Sequence, residues 1–285
     1  MRDPTLLSRF ISWLQQRPLI NAALVVVYFL VVVLPHEAVG SLIHRLLFRG
    51  SVADYNLTFM LIFAAVVGIA MAPVVRCAWI RRPPARLLAG TLLVVGLMIV
   101  AYRTIMVLST EAIHYVQYAV MAILLYPLLR HHLETVVAAT LLGVLDELYQ
   151  YLWLKPADPG YYDFNDVVLN VLGAMFGLCI VGICDGTTRA RGTRPVWRSP
   201  FWLTVGSSMV ILGILWACRV WSVFPPEAST SPPVVLMPQV PDAFWSVFYD
   251  KAFHIMTPME GLVAVICLIW LSAWMLPVIG QRVAR

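Results

Sequence analysis

Residues 165–184 of the chain read NDVVLNVLGAMFGLCIVGIC, an apolar run with a single charge near its start. Its length matches the roughly 20 residues that a helix needs to cross about 30 Å of hydrocarbon. Asp166, Asn170, Gly173 and Gly177 follow one another at intervals of four, three and four residues. On a helix they form a single stripe. The run therefore predicts a transmembrane helix with one polar and small-residue face.

This stripe also predicts a neighbour. Glycines four residues apart let a second helix approach closely, and Asp166 and Asn170 then point at the same neighbour. We expect that neighbour to be the preceding span, where Asp146 and Gln150 share a face. The simplest interpretation is that these polar groups only satisfy one another and pin two helices together. The alternative is that they form a functional site, because ionisable groups within spans are costly.

Seven more apolar segments surround this one. The 285 residues are 61% hydrophobic and only 12% charged, which leaves too little polar surface for a soluble globular protein. The sequence predicts an all-α, polytopic transmembrane helical bundle that forms one integral membrane domain over residues 1–285. The predicted spans lie at about 19–35, 57–75, 87–107, 112–129, 135–154, 165–184, 201–219 and 258–279, with boundaries good to roughly 2–4 residues.

Loop charges predict the orientation of the bundle. With the N-terminus inside, 14 of the 20 Lys and Arg residues fall on the cytoplasmic side. The other six are Arg45, Arg49, Arg103, Lys155, Arg219 and Lys251. This excess predicts cytoplasmic N- and C-termini. Because the positive charge is spread over short loops, no nucleic-acid partner is predicted.

A proline-rich segment separates the last two predicted spans. It covers about residues 220–250 and contains Pro225-Pro226, Pro232-Pro233, Pro238 and Pro241. Proline at this density disfavours helix and central strand. We expect an extended extracytoplasmic loop.

Polar residues gather at the predicted outer ends of the spans. His36 and Glu37 close the first span, and Arg103 ends the third. The others are Glu111 and His114 at the start of the fourth, Asp146, Glu147 and Gln150 late in the fifth, Asp166 and Asn170 early in the sixth, and Asp250, Lys251 and His254 before the eighth. Since odd spans end outside and even spans begin outside, all of these converge on one side of the membrane.

Three of these groups follow a recognisable order. Glu111-Ala-Ile-His114, then Asp146-Glu147-Leu-Tyr-Gln150, then Asp166-Val-Val-Leu-Asn170-Val-Leu-Gly173 resembles the VanZ-like family of bacterial membrane proteins. The family pattern is Asp-Lys-x-x-His, Asp-Glu-x-x-Gln, an Arg and Asp-x-x-x-Asn-x-x-Gly, matched here over roughly residues 105–180. Glu111 and Ala112 replace the expected Asp and Lys, and the Arg before Asp166 is absent. Asp250-Lys251-Ala-Phe-His254 reproduces the first motif late in the chain.

The resemblance implies a cell-envelope role at the outer face of the bacterial plasma membrane, where one family member is associated with resistance to lipoglycopeptide antibiotics. The expected partner is a membrane lipid, a lipid-linked envelope molecule or a lipoglycopeptide, which the protein binds or modifies. Two alternatives stay open: a carboxylate/His hydrolase or transferase, and a structural subunit or transporter that associates with another membrane protein.

The candidate site follows from these motifs. Glu111, His114, Asp146 and Glu147 have the residue types of acid–base catalysis or of a carboxylate–histidine metal site. Metal and cofactor stay unknown, because the sequence contains neither a His-x-x-x-His pair nor a glycine-rich phosphate loop. The candidate binding residues are Gln150, Asp166, Asn170, Arg103, Lys251 and His254.

Overall fold

The structure, a computed structural model, describes residues 5–47, 51–154, 162–185, 200–223, 234–236, 243–248 and 251–275. Most of them are helical. The α-helices are α1 (Leu6–Gln15), α2 (Pro18–Tyr28), α3 (His36–Leu47), α4 (Val52–Arg81), α5 (Ala85–Thr104), α6 (Ile113–Leu129), α7 (His132–Tyr149), α8 (Phe164–Asp185), α9 (Pro200–Ala217) and α10 (Pro258–Met275).

Helices lie at all eight predicted segments. Six helical stretches in the described part are long and apolar enough to cross a membrane. They are Pro18–Leu42, Ala53–Arg81, Ala85–Thr104, Ser109–Leu129, Phe164–Asp185 and Pro258–Met275. Helices α7 and α9 cover the other two segments. A multi-pass helical membrane bundle is therefore confirmed. Both chain ends, and residues 276–279 of the last predicted span, lie outside the described residues.

Local sequence signals explain several helix ends. Ser51 and Asp54 form a capping box at the start of α4, each side chain bonding to the other's backbone amide. Arg82 and Arg130 end α4 and α6 in the left-handed conformation. Pro84 directly precedes α5 and sets its first turn. The turns between these helices are therefore short and locally determined.

Helix α8 is the centre of the bundle. It packs against α6, α7, α10, α5 and α4. Of its apolar window, 89% is buried. Leu169, Leu172, Met175 and Leu178 are almost completely enclosed. A span this enclosed contacts protein on every side, whereas ordinary lipid-facing spans contact protein on one side.

The glycine face of α8 contacts α6, so the prediction that it faces the preceding span is wrong. A Cβ at Gly173 would lie 2.7 Å from the Tyr115 carbonyl oxygen, and one at Gly177 would overlap the backbone of Ala119. Helix α7 meets α8 through Gly143, where a Cβ would lie 3.0 Å from the Asn170 side chain. A pair of glycines four residues apart predicts that a neighbouring helix approaches closely, but it does not indicate which helix that is.

The first span is longer than predicted. After α2, residues Phe29–Val33 form a π-helical turn, and a new helix begins at His36 directly after Pro35. Proline is common just before or within a first helical turn, so Pro35 suits the start of a helix here. Helix α3 was therefore missed, and the structure places His36 at its first position.

Two small sheets qualify the all-α prediction. Strand β1 (Trp221–Ser222) pairs in parallel with β2 (Val234–Val235), and β3 (Ser246–Phe248) pairs antiparallel with β4 (Lys251–Phe253). Most of the proline-rich segment lies outside the described residues. Leu236 accepts a hydrogen bond from the Tyr162 amide at 2.8 Å, so this strand region lies beside the start of α8.

Helix α1 packs across the opposite end of α8. Ile11 and Leu14 are buried, whereas Phe10 and Trp13 are exposed. The Thr5 hydroxyl donates to the carbonyl of Cys184 near the end of α8. Helix α1 is therefore amphipathic, with one face on the bundle and one face exposed.

Candidate functional site

His114 occupies the centre of the cluster of polar groups. It lies in the first turn of α6 and is 2% exposed. Its Nδ1 is 2.9 Å from Asn170 Oδ1, and its Nε2 is 3.4 Å from Asp166 Oδ2. Both partners come from α8, four residues apart. The predicted stripe of α8 therefore meets α6 in its polar part as well as at its glycines.

Helix α7 contributes a pair of buried carboxylates. Asp146 is fully buried and Glu147 is 2% exposed. The Tyr118 hydroxyl of α6 lies 3.5 Å from Asp146 Oδ2, and Gln150 Nε2 donates to Glu147 Oε1 at 3.1 Å. At Gln150 the helix changes into a π-helical turn, Gln150–Leu154. Such turns are frequent at functional sites.

His36 is the member of the cluster that the predicted site omits. The π-helical turn of the first span brings it to the cluster, where its Nδ1 is 3.8 Å from Asp146 Oδ2. Its ring meets that of His114 edge to face, with centroids 4.8 Å apart. The same Nδ1 lies 2.6 Å from the Val33 carbonyl oxygen. In the sequence, only the position of His36 at the outer end of a predicted span pointed to the cluster.

Two polar atoms in the cluster lack a hydrogen-bond partner among the described residues. They are Asp146 Oδ1 and Asn170 Nδ2, and both residues are 0% exposed. An unsatisfied buried polar atom costs about 1–3 kcal/mol, and more if charged. A network that existed only to join helices would be expected to satisfy both.

The cluster contains two groups of side chains with metal-ligand chemistry. In each group, one ligand atom per residue lies within 4.8 Å of the others. The groups are His36, His114 and Asp146, and His114, Glu147 and Asp166. Histidine and carboxylate together are common ligands for divalent transition metals. The same side chains are also suited to proton transfer.

Glu111 has a local role that the sequence did not predict. It lies in a 3₁₀ turn before α6, where its carboxylate accepts hydrogen bonds from the amides of Val107 and Leu108 at 2.8 and 2.9 Å. Two residues before a helix, a carboxylate can close a turn as readily as it can face a site.

Arg103 and Lys251 lie near this turn. Arg103 is exposed at the end of α5. Lys251 donates to the Tyr102 carbonyl at 3.3 Å and lies 4.7 Å above the Tyr102 ring. Burial lowers the pKa of Lys251, an effect that the charge of Glu111 opposes and the charge of Arg103 reinforces. The three charges therefore act on one another beside the cluster.

His254 is held by its own loop. It stacks on Phe244 with centroids 4.0 Å apart, donates through Nδ1 to the Phe244 carbonyl at 2.7 Å, and lies 3.1 Å from Glu260. Strand β4 includes Lys251, so the repeated motif is not one helical face; Asp250 lies outside the described residues. This motif does not reproduce the geometry around His114.

Asn165 was absent from the predicted site, yet it joins three parts of the chain. Its Nδ2 donates to the carbonyls of Ile105 and His254 at 3.0 and 2.8 Å, and its Oδ1 accepts from the Met256 amide at 3.0 Å. It thereby holds the segment before α10 against α5 and α8. A lone Asn beside Asp166 gave no signal for this long-range role.

Comparisons with protein-family models, curated proteins and solved structures find no match to this chain. The resemblance to the VanZ-like family therefore rests on the motifs quoted above.

Proposed function

We propose that the chain is an eight-span protein of the bacterial plasma membrane, with both termini in the cytoplasm, that binds or modifies the polar head of an amphiphilic envelope molecule. One observation supports this most directly: helices α3, α6, α7 and α8 direct His36, His114, Asp146 and Asp166 into one cluster. Asp146 Oδ1 there accepts no hydrogen bond within 3.5 Å from the described residues.

The burial of the cluster favours binding over a purely structural role. The Asp166 side chain is 16% exposed and Asp146 is fully buried, so the cluster has an accessible edge and an enclosed interior. Intramembrane ionisable groups mark ligand or proton sites by default. An amphiphile fits because its head can reach the cluster while its chains lie along apolar helices.

Native mass spectrometry tests this proposal. The protein is purified in mild detergent, and the amphiphiles that co-purify are identified for the wild type and for Asp146→Asn, Glu147→Gln and His114→Gln. These near-isosteric changes retain volume, so folded yield stays close to normal while occupancy falls at least about tenfold, or 1.4 kcal/mol. His132→Gln is the matched control, since the Nδ1 atom of half-buried His132 is also enclosed but the residue begins α7 at the opposite end.

Two results would count against binding. One is the same amphiphile at the same occupancy in wild type and all three cluster variants. The other is a loss of folded yield in each cluster variant with no specific amphiphile in the wild type, which is what a network for helix pinning predicts.

Orientation is tested through the native cysteines. Cys218 follows α9 on the proposed outer side and is exposed, whereas Cys77 lies near the inner end of α4. A membrane-impermeant maleimide should label intact cells at Cys218, and Cys218→Ser should abolish the label. Labelling of Cys218 only after permeabilisation would reverse the orientation.

A second candidate, catalysis on the bound molecule, is favoured by the geometry of His114. Its ring lies between Asn170 Oδ1 and Asp166 Oδ2, which resembles a base held by an orienting partner. If this is correct, the wild type converts the co-purified amphiphile in single-turnover assays and His114→Gln binds it without conversion. Unchanged conversion by His114→Gln would exclude His114 as the base.

A further inference from the structure

The two histidines of the cluster share one arrangement. His36 Nδ1 lies 2.6 Å from the Val33 carbonyl, and His114 Nδ1 lies 2.9 Å from Asn170 Oδ1. Both oxygens can only accept, so each Nδ1 donates its proton and each Nε2 carries a lone pair. Metal-binding histidines characteristically donate their other ring N–H to a carbonyl or carboxylate in this way.

The carboxylates complete the set of ligand atoms. Asp166 Oδ2 is 3.4 Å from His114 Nε2, and Asp146 Oδ2 is 3.8 Å from His36 Nδ1, the ring nitrogen that also faces Val33. Atoms bound to one tetrahedral ion lie about 3.3 Å apart, given metal–ligand bonds of about 2.0–2.2 Å. The His114–Asp166 separation already matches this spacing. The ligand atoms of His36, His114 and Asp146 lie within 4.8 Å of one another, so the His36 and Asp146 side chains must rotate, with His36 presenting Nε2, to close the site.

Unprotonated His114 Nε2 and Asp166 Oδ2 face each other as two acceptors. Such a pair repels unless a proton or a cation lies between the atoms. The separate observation is Asp146 Oδ1, fully buried without a hydrogen-bond partner among the described residues. A cation bound to Asp146 would satisfy this oxygen and offset the charge of the neighbouring carboxylates.

We propose that the cluster binds one divalent transition-metal ion, with Zn²⁺ as the first candidate. The ligands are His36, His114 and Asp146, with Asp166 as the fourth, and Glu147 beside them. A single ion is expected because the two candidate groups share His114, whose Nε2 binds one metal. Two imidazoles favour Zn²⁺ over Mg²⁺, which prefers oxygen ligands and retains its waters.

This site goes beyond the proposed function, because it names an ion that the protein binds whichever amphiphile occupies the cluster. The competing explanation is a proton on His114, which would form an ion pair with Asp166 and bind no metal. Direct metal binding separates the two.

The experiment measures metal content and affinity in detergent-purified protein. The protein is stripped with a chelator, reloaded with Zn²⁺, Mn²⁺ or Mg²⁺, and analysed by mass spectrometry and calorimetry. We expect one Zn²⁺ per wild-type chain. His36→Gln and Asp146→Asn should each lower Zn²⁺ affinity at least about tenfold. Asn170→Ala should lower it about 10–100-fold, because Asn170 orients His114 without binding the ion.

His132→Gln controls for the loss of an imidazole whose Nδ1 is enclosed. Its Nδ1 also lacks a hydrogen-bond partner among the described residues, but it lies 14 positions before Asp146, about 20 Å along α7. It should bind Zn²⁺ like the wild type. Size-exclusion profiles and the Zn²⁺-dependent rise in Tm distinguish loss of the site from misfolding. A variant that folds but lacks the site has a normal size-exclusion profile and shows no rise in Tm with Zn²⁺.

Three outcomes would overturn the metal site: no stoichiometric Zn²⁺ in the wild type, undiminished binding by His36→Gln and Asp146→Asn together, or preference for Mg²⁺ over Zn²⁺. Failure here is distinct from failure of the proposed function. Protein that binds no metal can still lose its amphiphile in the cluster variants, and protein that binds Zn²⁺ can co-purify with no specific amphiphile.

Discussion

Helices α4 and α8 are equally hydrophobic, yet they lie in opposite environments. Only 6% of the apolar window of α4 is buried, against 89% for α8. Helix α4 exposes Leu57, Leu61, Val66 and Ile69. Helix α8 has small and polar residues where its neighbours approach, including Asn170, Gly173 and Gly177. Hydrophobicity alone therefore identifies a span, while the placement of small residues determines whether protein surrounds it.

The glycines should show this difference most strongly. A Cβ at Gly177 would overlap the Ala119 backbone, whereas one at Gly68 in α4 would have nothing within 4 Å. Gly177→Leu should destabilise the protein by at least about 3 kcal/mol, because a backbone cannot yield as a side chain can. Gly68→Leu should leave Tm nearly unchanged. Thermal unfolding in detergent measures both, and equal losses would refute the contrast.

Leucine truncations give the next largest effect. Leu169 in α8 is completely buried, whereas Leu61 in α4 is 63% exposed. Leu169→Ala should cost about 2–5 kcal/mol, since its neighbours can fill the cavity only in part. Leu61→Ala should cost under about 0.5 kcal/mol because detergent or lipid replaces the lost contact. Comparable costs at the two positions would show that α4 packs against a further protein surface.

Asn165 tests the polar end of α8. Asn165→Ala removes three hydrogen bonds that join residues 105, 254 and 256. We expect a loss of about 1–3 kcal/mol and faster hydrogen exchange in residues 251–257, with little change in α4. Asn56→Ala in α4 is the matched control, because Asn56 accepts one bond from the Ser109 amide. If hydrogen exchange in residues 251–257 rises equally in both variants, Asn165 does not hold this segment in the way proposed.

Much of the fold could be predicted because it depends on local composition. Residues 165–184 were predicted to form a transmembrane helix, and this segment and the other seven apolar segments are helical as expected. Helix α3 was missed, since Pro35 suits a helix start as well as a helix end. Glu111 bonds to the amides of its own turn, a local contact that its place at the start of a predicted span did not indicate.

What the sequence determined by itself was the membrane class, the helices and the gathering of polar residues at one end of them. Hydropathy and helical period depend only on neighbours along the chain, so they can be read directly. Only the tertiary structure decided that Gly173 and Gly177 meet α6, that His36 joins His114 and Asp146, and that Asn165 ties the segment before α10 to α8. Each of these contacts joins residues at least 50 positions apart, and depends on how far each helix is rotated and which neighbour it meets.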